Sequence, residues 1–195
     1  MKQAGQSKKG NLTLVAAGSN ATSAFGSPLK TVQAALREIE NRWGCSTISR
    51  FYQTPAFPAG AGPDFVNAAC VFFTKDSART VLDSLHSIEV LMGRERLSRW
   101  GQRTLDLDLV GQGEAVLPDA RTFDHWKNLP ADEQARVAPD TLILPHPRVQ
   151  DRSFVLVPLA EIAPDWIHPH LGLSVTQMLN ARPAEERDTV VPILP

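Results

Sequence analysis

The stretch Arg94–Val110, RERLSRWGQRTLDLDLV, concentrates the charges that could do chemistry. It carries four arginines (Arg94, Arg96, Arg99, Arg103), then Trp100, then Asp106 and Asp108 separated by one leucine. From Thr104 the pattern alternates, with Leu105, Leu107 and Leu109 on one side and the two aspartates on the other. Successive side chains of a strand point to opposite faces, so both carboxylates share a face about 6–7 Å apart. Two unit charges at that spacing repel by about 3 kcal/mol at an effective dielectric near 20. A half-buried pair therefore calls for cations, and a hard divalent ion held by carboxylate oxygens fits. Four arginines exceed what two aspartates can pair with. The surplus points to a polyanion bridged to the aspartates by metal, and a nucleoside triphosphate with magnesium has that charge pattern. The alternative use of a D-x-D strand is an ordinary solvated face.

The flanking elements must hold this stretch in place. Leu12–Ala17 reads as a buried strand closed by the turn cluster Gly18-Ser19-Asn20. Ser27 and Pro28 open a helix, one as N-cap and the other at the first helical position. Leu29, Val32, Leu36, Ile39 and Trp43 mark its buried face, and Gly44 ends it. Thr47–Thr54 and Phe65–Thr74 read as two strands of a hairpin whose enlarged loop, Pro55–Pro63, is stiffened by three prolines. Ser77–Met92 is a second helix with the stripe Val81, Leu82, Leu85, Ile88, Met92 and a stop at Gly93. His86 and Glu89 lie on one side of it.

The order strand, helix, strand, strand, helix, strand predicts an α+β fold of ferredoxin-like βαββαβ type, an antiparallel sheet flanked by helices. Residues 111–141 read as a surface insertion with a short helix near Ala131–Val137. Val155–Glu161 reads as a short helix interrupted near Pro158, followed by a last helix over Ser174–Ala181. Residues 183–195 read as a loosely ordered tail. The expected organisation is a loose tail over 1–10, one domain over 11–182 and that C-terminal tail.

The net charge of −1 gives no global field toward nucleic acid or an acidic membrane. Ferredoxin-like sheets with aromatics and arginines can bind RNA, but acids beside the arginines count against it. Cys45 and Cys70, the only cysteines, make neither a disulfide framework nor a metal spacing. No apolar run reaches the roughly 18–20 residues of a membrane span. Leu12–Gly18 is too short for a signal peptide. The expectation is a cytoplasmic monomer acting on small molecules, with no nucleic acid or membrane as partner.

Several segments are specific enough to compare with a known family: AGSN (17–20), FYQTP (51–55), DFVNAA (64–69), the helix end with Glu89, GRERLSRWGQRTLDLDLV (93–110), LPHPR (144–148) and DRSFVLVPLAEIAPDW (151–166). In this order they resemble the 6-hydroxymethyl-7,8-dihydropterin pyrophosphokinases of folate biosynthesis, whose α-β-α sandwich agrees with the fold expected above. The resemblance implies transfer of the diphosphate of ATP to the pterin hydroxymethyl group, with release of AMP. It implies that Asp106 and Asp108 hold two Mg²⁺ ions and that Arg94, Arg96, Arg103 and Arg152 contact phosphates. Glu89, Trp100, Leu109 and His146 would complete the ATP side. Thr54, Pro55, Phe57 and Asn67 would meet the pterin, Phe65 and Phe154 would sandwich its ring, and Trp100 would close over the site. It also raises weak association with other enzymes of the pathway.

The physical needs agree. Phosphoryl transfer requires charge neutralisation and in-line positioning, and a flat heterocycle requires aromatic faces and an amide. The chain departs from the family pattern at Phe65 (usually tyrosine), Ala56, Phe57, His86 and Pro147. Its segment between Asp108 and His146 is longer than in short members.

Overall fold

The computed structural model describes residues 10–44, 47–56, 62–94, 104–130, 133 and 136–194. Strands are β1 (Asn11–Ser19), β2 (Thr47–Ile48), β3 (Tyr52–Thr54), β4 (Phe65–Thr74), β5 (Asp106–Gln112) and β6 (Val191–Pro192). Helices are α1 (Pro28–Trp43), α2 (Ala78–Leu91), α3 (Ala120–Lys127), α4 (Ser153–Ile162), α5 (Val175–Asn180) and α6 (Ala184–Asp188). The sheet is antiparallel in the order β5-β1-β4-β3-β6, with β2 also on β4.

Alternation along the strands divides the core in two. Val15 and Ala17, Ala68, Cys70 and Phe72, and Leu107 and Leu109 pack on one face against α1 and α2. Leu14 and Ala16, Ala69 and Val71, and Val110 pack on the other against α4 and α5. The caps read from sequence are present. The Ser27 and Ser77 side chains accept from the backbones of Lys30 and Thr80, and Gly44 takes the left-handed conformation at φ 68°. The fold is therefore α+β, an antiparallel sheet flanked by helices, as expected.

Three local expectations differ, and a fourth lies mostly outside the described residues. The strand expected over Thr47–Thr54 is broken into β2 and β3. At the break the Ser49 side chain accepts from the Ala69 N–H at 2.9 Å, taking the place of a ladder carbonyl. The helix α4 runs through Pro158, because that missing N–H falls in a segment held by packing rather than by every hydrogen bond. The stretch expected to be a loose C-terminal tail forms α6 and then β6. Ile193 N–H donates to Phe51 C=O at 2.8 Å, and Val191 and Pro192 pair with Gln53 and Tyr52. In the insertion, part of the expected 131–137 helix lies outside the described residues. Ahead of it the insertion also forms α3, capped by Asp119, whose carboxylate accepts from the Thr122 N–H at 2.9 Å.

No helix among the described residues is long and apolar enough to cross a membrane.

Candidate functional site

The edge strand β5 carries Asp106 and Asp108, and its register fixes their face. Asp106 lies opposite Gly18 and Asp108 opposite Ala16. Ala16 belongs to the core under α4, whereas Leu105, Leu107 and Leu109 pack toward α1 and α2. Beyond the aspartates the register shifts at Val110, whose C=O accepts from His146 N–H at 2.8 Å. That bulge ends the acidic run and ties the LPHPR segment to the strand.

Each acid has a guanidinium. Arg94 Nη1 donates to Asp106 Oδ1 at 2.8 Å, and Arg152 Nη1 donates to Asp108 Oδ2 at 2.9 Å. The acids remain 23% and 31% exposed and open into a cleft of about 600 Å³. The arginines therefore balance the two carboxylates without sealing them.

Arg94 is aimed by the end of α2. Gly93, at φ 81°, turns the chain so that Arg94 N–H donates to Glu89 C=O at 3.0 Å. The Arg94 side chain then folds back between Glu89 and Asp106. Glu89 itself is 2% exposed and accepts from Leu107 N–H at 2.8 Å. It thus joins helix α2 to the strand between the two aspartates. Burial pushes its carboxyl up to about 7, with the charges of Asp106 and Asp108 adding to the rise and the Leu107 N–H and Arg94 opposing it.

His146 is half-buried in the same cleft. Its Nδ1 accepts from Arg148 N–H at 3.1 Å, so the neutral ring carries its proton on Nε2. Desolvation, with the Arg152 charge beside it, holds its pKa well below the ordinary histidine range. Leu109 contributes to the cleft lining while 96% buried in the core.

A second group of residues lies along the same face of the sheet. Phe65 opposes Thr54, and Asn67 opposes both Tyr52 and Gly18. Asn67 Nδ2 donates to Thr54 Oγ1 at 2.7 Å, both residues being 5% exposed. Gly18 is what permits this arrangement, since a Cβ there would stand 2.9 Å from Asn67 Oδ1. Pro55 follows β3 at the surface. Phe154, 40% exposed, opens helix α4 with the Arg152 guanidinium 5.8 Å over its ring.

The sequence-derived candidates thus fall into two adjoining sets: Glu89, Arg94, Asp106, Asp108, Leu109, His146 and Arg152 around the cleft, and Thr54, Phe65 and Asn67 beside it on the sheet. Phe57, Arg96, Arg99, Trp100 and Arg103 lie outside the described residues. Sequence reasoning missed Arg79, Trp126, Leu142 and Ile143, which line the cleft. For Arg79 and Leu82 the signal was available, because they share the helical stripe of His86 and Glu89. For Trp126 there was none beyond an aromatic in a polar insertion.

Among the described residues no three His, Cys, Asp or Glu side chains are placed to hold a metal by themselves. The two carboxylates instead suit an ion that keeps phosphate oxygens and water as its other ligands, which is how Mg²⁺ is commonly bound.

Comparison with known proteins agrees with the geometry. The family model described as 7,8-dihydro-6-hydroxymethylpterin-pyrophosphokinase (HPPK) matches residues 14–164. A 2-amino-4-hydroxy-6-hydroxymethyldihydropteridine pyrophosphokinase of Synechocystis sp. is 38% identical over 80% of this chain and 70% of its own length. The enzyme of the same name from Pseudomonas aeruginosa is 35% identical over 88% of this chain and 91% of its own. Among solved structures, wild-type Plasmodium falciparum HPPK-DHPS aligns with a TM-score of 0.60 at 15% identity, covering 90% of this chain and 45% of that one. That likeness concerns the fold, and this chain spans less than half of that longer protein.

Proposed function

Since the chain belongs to the 7,8-dihydro-6-hydroxymethylpterin-pyrophosphokinase family and is a diphosphokinase of folate biosynthesis acting on a small-molecule pterin, we propose that the cleft along β5 is its ATP site and that the face carrying Phe65 and Asn67 is its pterin site. The observation that carries this is the pair Asp106 and Asp108, partly exposed on one strand face, paired among the described residues with Arg94 and Arg152, at the mouth of a cleft large enough for a nucleotide.

In the reaction the pterin hydroxymethyl oxygen forms a bond to the β-phosphorus of ATP. The bond from that phosphorus to the oxygen bridging to the α-phosphate breaks, AMP leaves, and the hydroxyl proton passes to solvent. A divalent ion is expected of such a reaction, and two Mg²⁺ on Asp106 and Asp108 would neutralise the phosphate charge. The protein's part is positioning and counter-charge. Arg94 and Arg152 start paired to the aspartates and can extend forked donors to phosphate oxygens. Arg96 and Arg103 are assigned to the same task from the family resemblance. Glu89 keeps Arg94 in place through the helix end. Neutral His146 offers an N–H to the nucleotide without adding charge. On the pterin side, Asn67 and Thr54 supply hydrogen bonds, Phe65 and Phe154 the ring faces, and Pro55, Phe57 and Trp100 the cover.

The strand order and the two helix-covered faces support the finer description of a ferredoxin-like βαββαβ core in a three-layer α-β-α sandwich. We take the chain from residue 11 through the strand β6, which completes the sheet, as one domain with an insertion at 111–141, working as a cytoplasmic monomer that associates at most weakly with neighbouring enzymes of the pathway.

Incubation with ATP, Mg²⁺ and the pterin alcohol should yield AMP by chromatography. Asp108→Asn should lower AMP formation at least about a hundredfold, the scale of losing one preorganised charge-stabilising group, while circular dichroism stays unchanged. Full turnover by that variant would remove the pair from the site.

A further inference from the structure

The inserted segment is more than surface decoration. It is fastened to the body at two points of its described part. Leu117 and Leu144 bridge through two backbone hydrogen bonds, at 2.7 and 3.1 Å. Helix α3 is then anchored through Phe123, which is fully buried. The Phe123 ring meets His168 edge-on at 5.4 Å and His170 at 4.7 Å. Asp124 Oδ1 lies 2.8 Å from His170 Nε2 on the same turn. Those contacts come from a segment far along the chain, so the helix is pinned from the side as well as at its base.

One turn after Phe123 stands Trp126, partly exposed and lining the cleft that holds Asp106 and Asp108. Residues at i and i+3 project from neighbouring sides of a helix. Anchoring Phe123 therefore fixes where Trp126 can reach. A stripe of α2 lines the same cleft: Arg79, Leu82, His86 and Glu89 recur at helical spacing. That stripe runs ten residues, about 15 Å at 1.5 Å per residue, which is longer than the charged cluster around Glu89 and Arg94 needs. Among the charged and polar lining residues stand the apolar and aromatic side chains Leu82, Trp126, Leu142 and Ile143. Such a surface suits a flat heterocycle rather than phosphate.

We propose that Trp126, carried by the inserted helix, is a nucleotide-binding residue whose ring packs against the base of ATP, so that the insertion forms a fixed wall of the nucleotide cleft. This rests on the assignment of the cleft to ATP made above. Trp126 acts on the base and not on the phosphates. Its removal should therefore separate ligands by whether they carry a base.

The test is calorimetric titration of wild-type protein, Trp126→Ala and Trp126→Phe with AMP, with ATP, and with inorganic tripolyphosphate as a probe of the phosphate end alone. Base–aromatic stacking corresponds to roughly 5- to 140-fold in affinity by alanine substitution. Trp126→Ala should weaken AMP and ATP by roughly tenfold or more and leave tripolyphosphate binding as in wild type, and Trp126→Phe should restore most of the loss. A purely structural role for Trp126 would weaken all three ligands together and lower the melting temperature, and that result overturns the proposal. So does equal AMP affinity in Trp126→Ala and wild type, which would leave the ATP assignment standing. Wild-type protein that takes up neither ATP nor AMP would overturn the assignment itself.

Discussion

Glu89→Gln in metal-free protein tests the charge logic of the site most directly. The wild-type carboxyl is 2% exposed and is raised from 4.5 to about 7. A carboxyl pKa raised in the folded state means that the folded protein holds its proton more tightly than the unfolded chain. The resulting stability is fully present below pH 4.5 and is lost as pH rises through about 7. The shift is about 2.5 units, which corresponds to about 3 kcal/mol. Glutamine keeps an oxygen to accept from Leu107 N–H, and Arg94 keeps Asp106. The variant therefore removes the titration while preserving most of the local contacts. Urea unfolding in EDTA at intervals from pH 4.5 to 8 gives the comparison. The difference in unfolding free energy, wild type minus Glu89→Gln, should fall by about 3 kcal/mol across that range. Groups that titrate identically in both proteins cancel in the difference. A flat difference, or one that rises with pH, would refute the view that burial outweighs the Arg94 and Leu107 contacts at this carboxylate.

Two further perturbations follow from the same structure. His168 is fully buried, accepts at Nδ1 from the His170 and Leu171 N–H groups, and has its pKa lowered from 6.5 to about 4 by burial, with His170 and Lys127 adding to the drop. The unfolded chain therefore takes up this proton first, and stability present above pH 6.5 should fall by about 3 kcal/mol toward pH 4. His168→Asn, whose amide oxygen can accept in place of Nδ1, should remove that acid limb in urea titrations, and an unchanged limb would count against it. Gly18→Ala should push the Asn67 amide off Thr54, since the new Cβ would stand 2.9 Å from Asn67 Oδ1. Losing a hydrogen bond of about 0.5–1.5 kcal/mol should raise the KM for the pterin roughly 2- to 13-fold, with ATP affinity by calorimetry unchanged.

Local pattern determined much of this protein. Ser27-Pro28, Ser77, Gly44 and Gly93 set the ends of α1 and α2, because caps and left-handed stops act within one turn of chain. Alternation around Asp106 and Asp108 determined which face of β5 they occupy, because strand side chains have period two. The resemblance in residues 12–166 pointed to the chemistry and to the family. Tertiary structure alone decided the rest. The polar helix α3 forms around one buried ring, Phe123, whose partners His168 and His170 come from a later part of the chain. The C-terminal residues become a strand because the β3 edge is there to pair with them. Glu89 read as a helix residue facing a nucleotide. Only the approach of β5, bringing the Leu107 N–H within 2.8 Å, makes it the buried group that links Arg94 to the acidic strand. Periodicity and capping are written in neighbouring residues, whereas burial and long-range hydrogen bonds depend on which distant segments return to the same place.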